Sequence, residues 1–111
     1  MNLAVAYFIL LVAAALEAGG DALVRVGLHG ENLTLRIGLF VAGAAVLFGY
    51  GLVVNSPPWD FGKLLGVYVT LFFVVGQIIN LLAFGIRPDL PMLVGGALIV
   101  SGGLVITLWR A

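Results

Sequence analysis

The chain has 111 residues, of which 63% are hydrophobic and 9% are charged, and its mean hydropathy is +1.25. A soluble domain has about 25% charged residues, so this composition excludes an ordinary water-soluble globular protein. Five basic residues balance five acidic ones, and without a basic excess to hold phosphates we expect no nucleic-acid binding. The chain has no cysteines, which excludes disulfides and thiolate metal sites.

Uncharged apolar segments predict four transmembrane helices in one domain that covers residues 1–111. A helix needs about 20 apolar residues to cross the hydrocarbon core of a bilayer. Segments 37–54, 64–86 and 90–109 are near or above that length, whereas segment 1–16 reaches it only by continuing past two acidic residues. We therefore predict an all-α membrane protein with helices over about 3–28, 34–54, 62–84 and 90–109.

The predicted helices are separated by short connections that contain turn-forming residues. The second connection ends at Asp60, a predicted N-cap. In the third connection Gly85 is suited to end a helix and Asp89 to cap the next one, with Pro91 in its first turn. No connection could hold a soluble domain, so we expect a multi-pass membrane protein whose function lies within the membrane or at its faces.

Positive charges are almost evenly divided between the two sides of the predicted protein. Arg25, Arg36 and Arg87 fall on the side of the first and third loops, and Lys63 and Arg110 fall on the other side. Orientation normally follows an imbalance of Lys and Arg, and this division provides almost none. Either other factors orient the chain, or it inserts both ways, which would permit an antiparallel, dual-topology homodimer.

Glu17 is the most informative residue of the first predicted helix. At about 1.5 Å per residue it lies about 21 Å along the helix from Leu3, which is still inside the hydrocarbon. A charged residue there costs at least about 2.5–3.5 kcal/mol on insertion scales. A carboxyl group can reduce that cost by holding a proton, and it binds either a proton or a cation. We therefore predict that Glu17 binds protons and substrate; the alternatives are a structural hydrogen-bonding role and a side chain that snorkels to the membrane surface.

Other polar residues are candidates for the same site. Asp21 and Arg25 follow Glu17 by one and two helical turns, so the three share one side of the helix. Asp21 either pairs with Arg25 near the membrane surface or provides a second proton or cation ligand. Gln77 and Asn80 share a face of the third helix, where they either line a polar cavity or form hydrogen bonds between helices.

Tyrosines and glycines give the remaining candidates. Tyr68 either belongs to an interfacial aromatic belt or offers its π face to an organic cation. Tyr50, on the second helix, either packs or contributes to the substrate site. The fourth helix is free of charge between its ends, and small residues let helix backbones approach closely. We expect its two glycine pairs to pack between subunits: Gly95, Gly96, Gly102 and Gly103.

The side chains needed for catalysis are scarce. One histidine and no cysteine leave no catalytic triad, no phosphate-binding loop and no metal-binding cluster. We therefore expect neither an enzyme nor a bound metal, and no cofactor other than protons as the coupling ion.

The chain also resembles the small multidrug resistance superfamily, whose members are four-helix transporters of similar length that work as dimers. The first helix resembles the superfamily pattern of a glutamate followed by a glycine, a leucine and a basic residue: Glu17, Gly20, Leu23 and Arg25. Segments 87–91 and 95–102 are similar to the third loop and to the dimerisation segment of the fourth helix. The segment Gly66-Val67-Tyr68-Val69 looks like the YnfA-like branch.

This resemblance implies a function. Glu17 from each subunit would be the shared ligand for protons and substrate, and Tyr68 lies about where multidrug members place a tryptophan against the substrate. We expect a proton-coupled exporter, or antiporter, of small cationic or amphipathic compounds that forms a homodimer in the lipid of the bacterial inner membrane. The alternatives are a non-transporting membrane subunit, a lipid-flipping relative and a passive channel.

Overall fold

The computed structural model describes residues 2–109, which form four α-helices: α1 (Leu3–Leu28), α2 (Leu33–Val54), α3 (Phe61–Phe84) and α4 (Leu90–Leu108). Each helix is long and apolar enough to cross a membrane. The predicted all-α membrane fold is therefore confirmed. Helices α2 and α3 each begin one residue earlier than predicted, and α4 ends one residue earlier. Arg110, which contributes to the topology prediction, lies outside the described residues.

Polar side chains cap the start of every helix. Asp60 and Asp89 accept hydrogen bonds from the backbone N–H three residues further on, at 3.1 and 3.0 Å, as predicted. Asn2 and Asn32 do the same for α1 and α2. Gly85 ends α3 with a φ of 67°, a left-handed conformation that costs glycine little. These caps satisfy backbone groups that have no partner within the helix.

The helices lie side by side in the order α2, α1, α3, α4, because α1 packs between α2 and α3, and α4 packs against α3. The Cα atoms occupy a flat body of 54 × 34 × 19 Å. Short loops reverse the chain after each helix, so α1 and α3 run in the same direction. Both run from one face of the bundle to the other. The face that carries Leu3, Leu108 and the loop 55–60 is called the terminal face, and the face that carries the loops 29–32 and 85–89 is called the loop face.

The core lies in the half of the molecule near the terminal face. It consists of Leu10, Ala13, Ala14, Val54, Leu64, Val67 and Tyr68. Leu10 and Val67 are 0% and 1% exposed. Near the same face, the hydroxyl groups of Tyr7 and Thr107 form a hydrogen bond of 2.6 Å that joins α1 to α4. Packing between the helices therefore closes this half of the bundle.

Large apolar side chains cover the outer surface of the bundle. Phe48 on α2, Leu82 on α3 and Leu98 on α4 are 71%, 79% and 71% exposed. Such a surface is unfavourable in water but matches the hydrocarbon of a bilayer, where backbone groups must be satisfied within helices. The distribution agrees with the location in a membrane that the composition predicts.

Close contact between α1 and α2 depends on glycine. A Cβ atom on Gly20 would lie 2.8 Å from the Leu47 side chain and 3.3 Å from the carbonyl oxygen of Gly43. A Cβ atom on Gly43 would lie 2.7 Å from Val24. The neighbouring Gly19 has no such atom within 4 Å. Only one of the two adjacent α1 glycines therefore contributes to helix packing.

The glycine pairs of α4 form two rows that point in different directions. Gly96 and Gly103 are buried against α3 of the same chain, and a Cβ atom on Gly96 would lie 2.7 Å from Phe73. Gly95 and Gly102 have no neighbouring atom within 4 Å of such a Cβ position. The inner row thus packs against α3, and the outer row faces away from the other helices of the chain. The role of these residues in dimer packing remains a prediction.

Candidate functional site

Helices α1 and α3 place Glu17 and Tyr68 in direct contact inside the bundle. The Tyr68 hydroxyl group donates a hydrogen bond of 2.8 Å to Oε1 of Glu17. Tyr68 is 4% exposed, whereas Glu17 is half-buried. The structure thus joins two predicted site residues that come from different helices.

Two aromatic rings pack close to the ring of Tyr68. The ring centre of Tyr50, on α2, lies 5.8 Å from that of Tyr68, with an angle of 33° between the ring planes. The ring of Phe72, one turn further along α3, stacks on Tyr68 at 5.9 Å with an angle of 18°. These separations are typical of attractive aromatic pairs. Three helices therefore contribute to the surroundings of the Glu17 carboxyl group.

A cavity of about 360 Å³ lies between α1 and α3, on the loop-face side of the pair formed by Glu17 and Tyr68. Its polar lining residues are Asp21, Arg25, Gln77 and Asn80. Its apolar lining residues are Ala18, Ala22, Phe72, Gly76, Ile79 and Phe84. The cavity falls within the range of about 300–1,000 Å³ that is usual for small-molecule sites.

The cavity is lined by polar residues that were predicted to lie on separate helices. Asp21 on α1 lines it together with Gln77 and Asn80 on α3. Arg25 also lines it, and its guanidinium carbon lies 5.8 Å from the ring centre of Phe84, a cation–π arrangement. Two neighbouring zones result: the Glu17–Tyr68 pair inside the bundle, and this mixed-charge cavity towards the loop face.

Several residues of the cavity wall were missed by the sequence prediction. Phe72, Gly76 and Phe84 line the cavity, and Phe72 also touches Tyr68. A signal for two of them exists, because Tyr68, Phe72, Gly76 and Asn80 recur at intervals of four residues and therefore share one side of a helix. Phe84 has no comparable signal, since its role depends on its contact with an arginine from another helix.

The geometry allows chemistry based on protons and cations. A carboxyl group can hold a proton or, when ionised, attract a cation, and a tyrosine hydroxyl group can donate to the ionised form. Within residues 2–109, no group of three or more His, Cys, Asp or Glu side chains could hold a metal ion. The open cavity lies towards the loop face, and the packed core lies towards the terminal face. Glu17 lies between them.

Comparison with known proteins relates almost the whole chain to membrane proteins. A UPF0060 membrane protein of Herpetosiphon aurantiacus is 34% identical over 106 residues, which cover 94% of each chain. A UPF0060 membrane protein of Rhodococcus jostii is 34% identical over 110 residues, covering 98% of this chain and 97% of the relative. One of Streptomyces coelicolor is 35% identical over 102 residues, covering 89% and 86%. No protein-family model and no solved structure matches the chain.

Proposed function

Because the chain belongs to the UPF0060 (YnfA) family of membrane proteins, within the small-multidrug-resistance-like superfamily, we propose that it is a proton-coupled exporter of small cationic or amphipathic compounds. It is a multi-pass protein of the cell membrane. The observation that carries the proposal is the 2.8 Å hydrogen bond between Tyr68 and Glu17, an acid within a membrane-spanning helix. Ionisable residues at such positions generally mark ion or substrate pathways.

In this proposal Glu17 has two ligands that exclude each other. A proton makes the carboxyl group neutral and reduces the cost of placing it among apolar groups. A cation instead requires the ionised carboxylate, so its binding releases the proton to water. If the loaded and unloaded forms favour different openings of the bundle, this exchange drives transport against a gradient.

The proposal includes an antiparallel homodimer in which two Glu17 carboxyl groups face one chamber. Two features support it: the nearly even division of Lys and Arg between the two sides, and the outer glycine row of α4, Gly95 and Gly102. Two carboxyl groups in one chamber would bind protons as a coupled pair. Membrane lipid and the transported cation would be the other partners.

Liposomes with an imposed pH gradient test the proposal. Purified protein is reconstituted, and the flux of tetraphenylphosphonium, a lipophilic cation, is measured with and without the gradient. We expect gradient-driven flux in the wild-type protein and its loss in Glu17→Gln, because the amide cannot exchange a proton. Glu31→Gln is the matched control, since Glu31 is exposed in the first loop.

The same measurements separate the alternatives. Gradient-driven flux that persists in Glu17→Gln would reject the proposal. Size-exclusion chromatography and melting of Glu17→Gln show whether a loss of flux occurs in a folded variant. Flux that does not respond to the gradient would indicate a passive channel. Complete absence of flux in the wild-type protein would favour a non-transporting subunit. In detergent, tetraphenylphosphonium should release protons from the wild-type protein and from Glu31→Gln, but not from Glu17→Gln.

A further inference from the structure

We propose that the cavity between α1 and α3 selects zwitterionic compounds, in which a cationic and an anionic group are separated by about 6 Å, the helical rise over the four residues from Asp21 to Arg25. This inference rests on the proposed transport function and names the substrate class of the same site. It depends on the order of charges along the cavity wall.

Charges of opposite sign follow each other along α1. Asp21 and Arg25 both line the cavity, and Asp21 lies one turn closer to Glu17. The inner part of the cavity is therefore lined by the Asp21 carboxyl group, whereas its outer part is lined by a guanidinium group. A molecule that enters with its cationic end first would place that end near Asp21 and its anionic end near Arg25.

The guanidinium group of Arg25 lies beside an aromatic ring at the outer end of the cavity. Its carbon atom lies 5.8 Å from the ring centre of Phe84, and Phe84 is itself part of the cavity wall. Arginine presents planar, permanently charged donors that suit a carboxylate group. A side chain whose position is already restricted by an aromatic ring loses less conformational entropy when it binds an anion.

The wall on α3 accommodates both ends of such a molecule. Gln77 and Asn80 carry side-chain amides, which can accept hydrogen bonds as well as donate them. Phe72, nearer to the acidic end, offers an aromatic face to an ammonium group. Amide and aromatic groups add no net charge, so the charges of Asp21 and Arg25 decide whether the cavity prefers a zwitterion or a simple cation.

A simple cation fits this wall less well than a zwitterion does. Its attraction to Asp21 is offset by repulsion from Arg25, because both side chains line the same cavity. A zwitterion gains from both side chains and places no like charges together. Selectivity of this kind depends on repulsion of the wrong ligand as much as on attraction of the right one.

Two probes that differ in one charge test the inference. They are 4-(trimethylammonio)butanoate, a zwitterion, and its methyl ester, a cation; their binding to the full-length protein in detergent is measured by calorimetry. We expect the wild-type protein to prefer the zwitterion. Arg25→Gln should weaken zwitterion binding about tenfold, the size expected for one lost charged hydrogen bond, and should tighten ester binding.

Weaker binding of the zwitterion together with tighter binding of the ester would show a charge effect, because a folding defect would weaken the binding of both probes. Arg25→Lys should keep the preference for the zwitterion, because it keeps the charge. Arg87→Gln is the matched control, since Arg87 lies in the third loop and is not part of the cavity wall. A wild-type protein that binds the ester at least as tightly as the zwitterion would overturn the inference, as would equal weakening of both probes in an Arg25→Gln variant that melts at the wild-type temperature.

This outcome is distinct from failure of the proposed function. Binding is measured at equilibrium without a pH gradient, whereas the antiporter proposal depends on gradient-driven flux and on Glu17. Glu17-dependent flux of tetraphenylphosphonium together with no preference for the zwitterion would retain the transporter and reject the substrate class. Zwitterion preference that depends on Arg25, without any coupled flux, would retain the site and reject the antiporter.

Discussion

The Tyr68 hydroxyl group on α3 donates a 2.8 Å hydrogen bond to Oε1 of Glu17 on α1, so a neutral side chain supports an ionisable group within the membrane-spanning part of the bundle. A tyrosine hydroxyl group can donate to a carboxylate and can also accept from a protonated carboxyl group. The contact can therefore persist in both protonation states. Such a partner suits a carboxyl group that must gain and lose a proton repeatedly.

Removal of the Tyr68 hydroxyl group should affect both stability and binding. We expect Tyr68→Phe to lower the free energy of unfolding by about 0.6 kcal/mol, the average for an interhelical hydrogen bond in a membrane. Binding of tetraphenylphosphonium should weaken about threefold, because the ionised Glu17 carboxylate, which attracts the cation, loses the hydrogen bond that stabilises it. Calorimetry and thermal unfolding in detergent measure the two effects.

Tyr7→Phe is the matched control for that experiment. It also removes one interhelical hydrogen bond, to Thr107 at 2.6 Å, but near the terminal face and away from Glu17. It should lower stability by a similar amount, about 0.6 kcal/mol, without changing cation affinity. If the two variants lose affinity equally, the contact between Tyr68 and Glu17 has no specific role in binding.

Adjacent glycines of α1 should respond differently to substitution. Gly20→Ala places a methyl group 2.8 Å from Leu47 and 3.3 Å from the Gly43 carbonyl oxygen, and overpacking of this kind costs about 1–3 kcal/mol. Gly19→Ala meets no atom within 4 Å and should leave the melting temperature nearly unchanged. Equal effects of both substitutions on thermal unfolding would show that α1 and α2 do not approach each other closely at Gly20.

The two glycine rows of α4 should separate protomer stability from dimer stability. Gly96→Val and Gly103→Val press against α3 and should destabilise the protomer by about 1–3 kcal/mol. Gly95→Val and Gly102→Val point away from the protomer, so they should reduce dimerisation and leave the fold intact. Energy transfer between labelled protomers in liposomes reports dimerisation. An unchanged dimer in the outer-row variants would exclude this surface as the interface.

Dual insertion is testable because the chain has no native cysteine. Glu31→Cys marks the first loop and Ser56→Cys marks the second, and both positions are exposed. With so little charge imbalance, about half of each variant should react with an impermeant maleimide added to intact cells. Labelling of one variant alone would show a single orientation and would contradict the antiparallel dimer.

Local features of the sequence predicted the helices well. Apolar length identified each membrane-spanning segment, and Asp60, Gly85 and Asp89 marked helix ends, because hydrocarbon thickness and backbone capping act over short stretches of chain. Glu17 was also recognisable as a candidate from local sequence, since an acidic residue within an apolar segment is conspicuous without any knowledge of its neighbours in space.

Only the tertiary structure decided which side of each helix faces another helix. Helices that are apolar on all sides carry little amphipathic signal, so the sequence did not distinguish the inner glycine row from the outer one. The contact between Glu17 and Tyr68 and the position of Arg25 over Phe84 depend on the rotation and crossing of α1 and α3. Helix rotation and crossing result from side-chain packing between residues far apart in the chain, and this packing brings the separate candidate residues into two neighbouring zones.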